Sequence, residues 1–252
     1  MNELEFYEKV KNWDFSMINY EEEFISNWDL YEKLNSIATK ESRILDLGTG
    51  GGEKVLKFFP ESREILATDF SKEMIETANI NLKNSGKKNI VFRQMDNLNM
   101  DCNDNYFDIV VARHTCIDPK QIHNVLKKGG KLLVRGVDKF DCWKLKSLFG
   151  KGQAFNDEFP ISKIDYDNIV SAGFIDVELI PIIINEYYKS KEDLLALLLK
   201  TPILEDFSGI ENNNNLGKIS IDEELLDKYI KENMTEKGIL LDRKYYAIVA
   251  EK

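Results

Sequence analysis

The sequence predicts an α/β protein whose sheet is largely parallel. Three observations carry that expectation. From residue 43 onward, five short apolar runs alternate with stretches of helical periodicity. The first run ends in a glycine cluster, Gly48-Thr49-Gly50-Gly51-Gly52, placed where a strand would turn into a helix. The 252 residues, 43% hydrophobic and 31% charged, have the composition of a globular chain with a sizeable core.

Taken in order, residues 1–40 are acidic and aromatic, with nine Asp/Glu against four Lys, and read as amphipathic helices ahead of the sheet. Arg43 to Leu47 is the first strand, and the helix after the glycines carries Val55, Leu56 and Phe59 and ends at Pro60. Glu64 to Thr68 is the second. Its helix has Ser71 as N-cap, Met74, Ile75, Ala78 and Leu82 on one face, and Gly86 just past its end. Asn89 to Met95 and Phe107 to Ala112 are the third and fourth strands. Asp118-Pro119 then opens a helix that Gly129-Gly130 stops, and Lys131 to Val137 is the fifth strand. Beyond residue 150 come a short helix near Asp165 to Ala172, a β-rich run Phe174 to Asn185, and a leucine-rich helix from Ser190 to Lys200. Asn212 to Asn215 form a polar break, Ser220-x-x-Glu223 is a capping box, and Tyr245 to Val249 is the last strand. The expected organisation is a single domain over 1–252: a helical cap (1–40), a core (41–137) and a C-terminal half (138–252) with an insertion at 201–243.

Composition narrows the function. The formal net charge is −10, from 34 Lys+Arg and 44 Asp+Glu, which argues against a protein that coats phosphate backbones. No apolar run approaches ~18 residues, and the start lacks the pattern of a signal peptide, so the expected location is the cytoplasm. The three cysteines, Cys102, Cys116 and Cys142, form no C-x-x-C pair, so neither a disulfide framework nor a metal site is expected.

The informative stretch is Ile44-Leu45-Asp46-Leu47-Gly48-Thr49-Gly50-Gly51-Gly52-Glu53. Glycines at a strand-to-helix turn let a ligand approach the backbone and leave helix-start N–H groups to bind it. A dinucleotide fingerprint G-x-G-x-x-G would need glycine at position 53, where Glu53 stands. The pattern D-x-G-x-G-x-G is met instead by Asp46, Gly48, Gly50 and Gly52.

This stretch resembles the first motif of the class I S-adenosylmethionine-dependent methyltransferases, and the resemblance extends over about residues 40–137. It implies that the turn of Gly48, Thr49, Gly50 and Gly52 holds S-adenosylmethionine, with Asp46 helping to orient its amino-acid end, often through water. Asp69 would accept from both ribose hydroxyls, since a carboxylate offers two acceptor oxygens to a vicinal diol. Phe70 would lie beside the adenine, Asp96 would accept from its exocyclic amine, and Asn97 and Leu98 would line the base. Each acid also has a plainer reading as a helix N-cap. The implied architecture is a Rossmann-like, doubly wound sheet of seven strands in the order 3-2-1-4-5-7-6, the last antiparallel, with the N-terminal cap and the insertion covering the acceptor side.

After the fourth strand, Arg113 is placed to reach the cofactor carboxylate, and His114 is the candidate catalytic base. His123, inside the next helix, reads as a surface or supporting residue, and Cys116 as a small buried or pocket-lining one. Methyl transfer from a sulfonium can also proceed on alignment and water exclusion alone. Trp13, Phe15, Trp28, Tyr31, Tyr187 and Tyr188 are candidates for an acceptor pocket, with core packing as the alternative. The expected function is methyl transfer from S-adenosylmethionine to a small or medium-sized acceptor through oxygen or nitrogen, yielding S-adenosylhomocysteine, by a monomer or homodimer. The alternatives are an RNA methyltransferase, a non-catalytic protein that binds the cofactor or activates a partner, and a nicotinamide oxidoreductase, the last disfavoured by Glu53.

Overall fold

The computed structural model describes residues 17–205 and 221–252. In chain order the strands are β1 (Tyr20–Phe24), β2 (Arg43–Leu47), β3 (Glu64–Asp69), β4 (Ile90–Gln94), β5 (Phe107–Arg113), β6 (Leu126–Val137), β7 (Ile175–Tyr188), β8 (Met234–Thr235) and β9 (Gly238–Glu251). The helices are α1 (Leu30–Ile37), α2 (Glu53–Phe58), α3 (Lys72–Ser85), α4 (Pro119–Val125), α5 (Trp143–Phe149), α6 (Ile161–Ser171), α7 (Lys191–Lys200) and α8 (Glu223–Asn233). The strand order is β1-β7-β9-β6-β5-β2-β3-β4, with β8 paired to β9. From β4 inward this reproduces the order 3-2-1-4-5-7-6, with β1 added at the far edge. Among the described residues, no helix is long and apolar enough to cross a membrane.

The chain packs as two compact units. The core unit comprises Trp28–Val137, Ser162–Pro181 and Tyr246–Lys252. Its strands β4, β3, β2, β5 and β6 pair in parallel: Leu45 stands between Leu66 and Val110, and Val110 is next to Leu132. The central strands of such a sheet are covered on both faces and carry apolar runs, whereas the edge strand β4 alternates buried and exposed positions. Ile44, Leu45 and Leu47 in β2 and Val110, Val111 and Ala112 in β5 are all buried. Leu30 and Leu34 of α1, Val55 of α2 and Ala78 of α3 pack on Ile65 and Ile109.

The helix boundaries follow from local chemistry. Ser71 Oγ accepts from the Met74 amide at the start of α3, and Gly86 ends that helix in the left-handed conformation. Asp118 caps α4 through the amides of Lys120 and Gln121, with Pro119 in the first turn. Strand β6 begins at Leu126, earlier than expected, so Gly129 and Gly130 lie within a strand rather than ending a helix.

The second unit comprises, among the described residues, 17–27, Asp138–Ile161 and those within Ile182–Tyr245. Its core gathers Leu145, Tyr188, Leu194, Leu197, Leu198, Leu226 and Tyr229. The leucine-rich helix α7 thus buries one face here, while Leu199 is exposed. Residues 20–24 depart from the expected helical cap. They form β1, antiparallel to β7 from Tyr20 opposite Tyr188 to Phe24 opposite Ile184. Tyr20 stacks on Tyr188 at 5.3 Å, and the Tyr187 hydroxyl donates to Glu23 at 2.6 Å. Cross-strand pairs of this kind outweigh the weak helical signal of a short acidic stretch. Helix α8 uses Asp222 as its cap, accepting from the Glu224 and Leu225 amides. Trp13, Phe15, Asn212 to Asn215 and Ser220 lie outside the described residues.

Candidate functional site

All parts of the candidate cofactor site belong to the core unit. Strand β2 has β3 on one side and β5 on the other. The chain therefore leaves the carboxyl ends of β2 and β5 in opposite directions, which opens a crevice at that switch point. A cleft there is lined by Leu30, Tyr31, Asp46, Thr49, Lys54 and Arg113, among others.

Three turn glycines have positive φ, yet their surroundings differ. A Cβ on Gly48 would stand 2.6 Å from Thr115 Cβ, and one on Gly52 would stand 2.5 Å from the Phe92 ring. Those two glycines let the chain pack against itself. At Gly50, with φ +58°, a Cβ would meet nothing within 4 Å. Gly50 is the position where the backbone faces open space and a ligand can approach it.

The turn is latched to β3. Thr49 N–H donates to the Thr68 carbonyl at 2.8 Å, and Gly50 N–H donates to Asp69 Oδ2 at 2.9 Å. The other oxygen of Asp69 accepts from Ser71 N–H at 2.9 Å. Each carboxylate oxygen therefore keeps acceptor capacity for one ribose hydroxyl. The carboxylate fixes the turn and the start of α3 at the same time.

Asp46 is buried, and burial pushes its pKa up to about 7, against the opposing pull of the Thr49 hydroxyl and the Arg113 guanidinium. Lys54 lines the same cleft. A carboxyl group with cations beside it suits a zwitterion: an ammonium for Asp46, a carboxylate for Arg113 or Lys54. Tyr31 is tucked beside them, and burial is the main cause of its raised pKa, with Arg113 and Arg135 opposing and Asp46 adding to it. Trp28 and Tyr31 both pack partly buried against the apolar cluster of the core unit.

At the end that the resemblance assigns to adenine, Phe70 and Leu98 are more than half exposed, which is unusual for such side chains and provides flat apolar surface. Gln94 Nε2 donates to the Phe70 carbonyl at 2.9 Å, which ties the loops after β3 and β4. Asp96 is exposed, with Oδ1 accepting from Leu98 N–H at 2.9 Å. Asn97 is buried; its amide nitrogen donates to Thr115 Oγ1 at 2.9 Å, while its Oδ1 is buried with no protein partner. An open glycine, two acids with spare acceptor positions and an orphan buried acceptor fit a nucleoside with a zwitterionic tail.

His114 is exposed and held at φ +53°. Its Nε2 is 2.7 Å from Arg135 Nη1. Cys116 is exposed, and its carbonyl accepts from Asn97 at 3.5 Å. His123 sits edge-on to Phe174. Tyr187 and Tyr188 belong to the second unit, where Tyr188 is buried with its hydroxyl donating to Glu186 at 2.6 Å. Sequence reasoning missed Lys54, Thr115 and Arg135. Arg113 and Arg135 stand at or near the carboxyl ends of β5 and β6.

The fold and this turn define a class I S-adenosylmethionine-dependent methyltransferase. Residues 38–173 match the family model described as a methyltransferase domain, and the chain belongs to that family. It is 31% identical over 101 residues to the uncharacterized methyltransferase YcgJ of Bacillus subtilis, a match covering 37% of this chain and 40% of that relative's length. It is 24% identical over 222 residues to the malonyl-[acyl-carrier protein] O-methyltransferase 1 of Ilyobacter polytropus, covering 80% of this chain and 76% of that protein. The crystal structure of YcgJ superposes with a TM-score of 0.57 at 20% identity, covering 88% of this chain and 97% of that one. The [4+2]-cyclase SpnF superposes with a TM-score of 0.53 at 18% identity over 88% and 79%.

Proposed function

We propose that the chain transfers a methyl group from S-adenosylmethionine to a small or medium-sized molecule through an oxygen or nitrogen nucleophile. The observation that carries this reading is the cleft beyond β2, where open Gly50, latched Asp69 and the Asp46–Arg113–Lys54 set match each end of the donor. When bound, S-adenosylmethionine supplies a methyl group on a positively charged sulfur. The protein's part is to hold the donor by its ribose and amino-acid ends and to align the acceptor. Since SpnF shares the fold and is a cyclase, the fold alone does not fix the reaction.

The small acceptor is favoured over RNA by the fate of the basic cluster after α4. Lys127 pairs with Asp108 at 2.6 Å and Lys131 with Glu251, so both cations are matched within the protein. The Ilyobacter relative is named for O-methylation, which accords with an oxygen acceptor. The test is incubation with methyl-radiolabelled S-adenosylmethionine and a cell extract, with and without ribonuclease. Label is expected in the acid-soluble, ribonuclease-insensitive fraction; label that precipitates and is released by ribonuclease would transfer the assignment to RNA.

A further inference from the structure

Tyr31, Asp46, Thr49 and Arg113 line one cleft of the core unit, where Leu30 and Phe59 form an apolar wall. Among the described residues, neither the Tyr31 hydroxyl nor the Arg113 guanidinium has an acceptor. A hydrogen-bond donor held in a partly dry cleft without a partner costs free energy, and a bound acceptor offsets that cost. Burial raises the Tyr31 pKa, and of the charges acting on its hydroxyl Arg113 is the strongest and Asp46 the next. The hydroxyl therefore stays protonated at neutral pH, close to the guanidinium and the carboxyl that a zwitterion would meet.

The rest of Tyr31 is held without that hydroxyl. In the first turn of α1, Asp29 Oδ1 accepts from the Tyr31 amide at 2.8 Å. Asn35 Nδ2 donates to the Tyr31 carbonyl at 2.6 Å and to the Phe58 carbonyl at 3.0 Å, which ties α1 to the end of α2. The Tyr31 ring stacks on Phe58, with centroids 4.8 Å apart and planes at 19°, and meets Phe59 at 6.2 Å. Ring contacts of this kind fix the phenol and leave its oxygen to a ligand.

We infer that the Tyr31 hydroxyl donates to one carboxylate oxygen of the S-adenosylmethionine amino-acid end while Arg113 binds the other, so that Tyr31 belongs to the methyl-donor site rather than to a wall of the acceptor pocket. The inference rests on the methyl-transfer reading above and names what the cleft selects. A carboxylate offers an oxygen to each of the two groups, which leaves Asp46 for the ammonium. The apolar wall of Leu30 and Phe59 lowers the local dielectric and strengthens both bonds. An analogue that keeps the nucleoside and the ammonium but lacks the carboxylate leaves the Tyr31 hydroxyl and Arg113 unpaired, and the cleft discriminates against it.

The test measures, by calorimetry on the wild-type protein and on Tyr31→Phe, the affinities of S-adenosylhomocysteine and of the same molecule without its carboxylate. The wild-type protein is expected to bind S-adenosylhomocysteine more tightly by at least about 10-fold. This comparison needs no variant. Tyr31→Phe keeps the ring and its stack on Phe58, and its melting curve without ligand reports that it is folded. Its Kd for S-adenosylhomocysteine should rise about 10- to 100-fold, the range for loss of a hydrogen bond to a charged group, while its Kd for the decarboxylated analogue stays within about 2-fold of wild type. A merely structural role would weaken both ligands alike. Equal losses for the two ligands, an unchanged S-adenosylhomocysteine affinity in Tyr31→Phe, or a wild-type protein that does not distinguish the two ligands would each overturn the inference. Failure of the wild-type protein to bind S-adenosylhomocysteine would overturn the methyl-transfer reading itself.

Discussion

Asp69 joins the glycine turn to α3 through the amides of Gly50 and Ser71, and the proposed function puts the ribose against it. Asp69→Ala should weaken S-adenosylhomocysteine binding about 10- to 100-fold, the range for losing one or two hydrogen bonds to a charged group. Asp69→Asn, which keeps one acceptor, should fall between; calorimetric affinities equal to wild type would place the ribose elsewhere. Asp46 makes a sharper prediction because its pKa stands near 7 in the folded protein, above the ordinary carboxyl value of 3.8. A raised folded pKa means a stabilising contribution that is complete below the unfolded value and is lost as pH rises through about 7. Asp46→Asn should therefore match wild type near pH 4 and exceed it in stability by pH 8. Binding an ammonium beside Asp46 would favour its ionised form, so ligand binding near pH 6.5 should release a proton. Calorimetry in buffers of different ionisation enthalpy reads that release, and a buffer-independent heat would contradict it.

At the scale of elements, the turn between β2 and α2 separates two uses of glycine. Gly52→Ala drives a Cβ into the Phe92 ring and should lower the thermal midpoint by several degrees. Gly50→Ala meets open space, so its cost to the fold is the positive φ alone, about 1–2 kcal/mol, while its cost to ligand binding should be larger. Paired melting curves and S-adenosylhomocysteine titrations of the two variants check that ordering. The sequence identified all three glycines by spacing but not this division, because the contacts of Gly48 and Gly52 come from Thr115 and Phe92, far away in the chain. The parallel strands were legible because burial on both faces gives them apolar runs such as Ile109 to Ala112 of β5, interrupted by few charged residues. Strand β1 was not, since its signal lies in the partner: Tyr20 and Glu23 find Tyr188 and Tyr187 more than 160 residues later.

On the scale of the whole molecule, each unit has its own core, and the second also holds a buried ionic cluster. Arg243 forms two-point pairs with Asp141, at 3.0 and 3.2 Å, and with Glu186, at 3.1 and 3.0 Å, all three side chains being buried. Removing the cation leaves two carboxylates in a dry interior. Arg243→Ala should cost about 3–5 kcal/mol, or roughly 10 °C in thermal midpoint for a chain of this size. A calorimetric melt unchanged from wild type would show that water reaches the cluster.

The most direct measurement is a thermal-shift titration with S-adenosylhomocysteine and NAD in parallel. At about 100 Kd, linkage predicts a stabilisation of about 2.7 kcal/mol, which is roughly 5–10 °C here. The account predicts that shift with S-adenosylhomocysteine and none with NAD. A shift with NAD alone would contradict the reading of the β2 turn on which every functional statement depends.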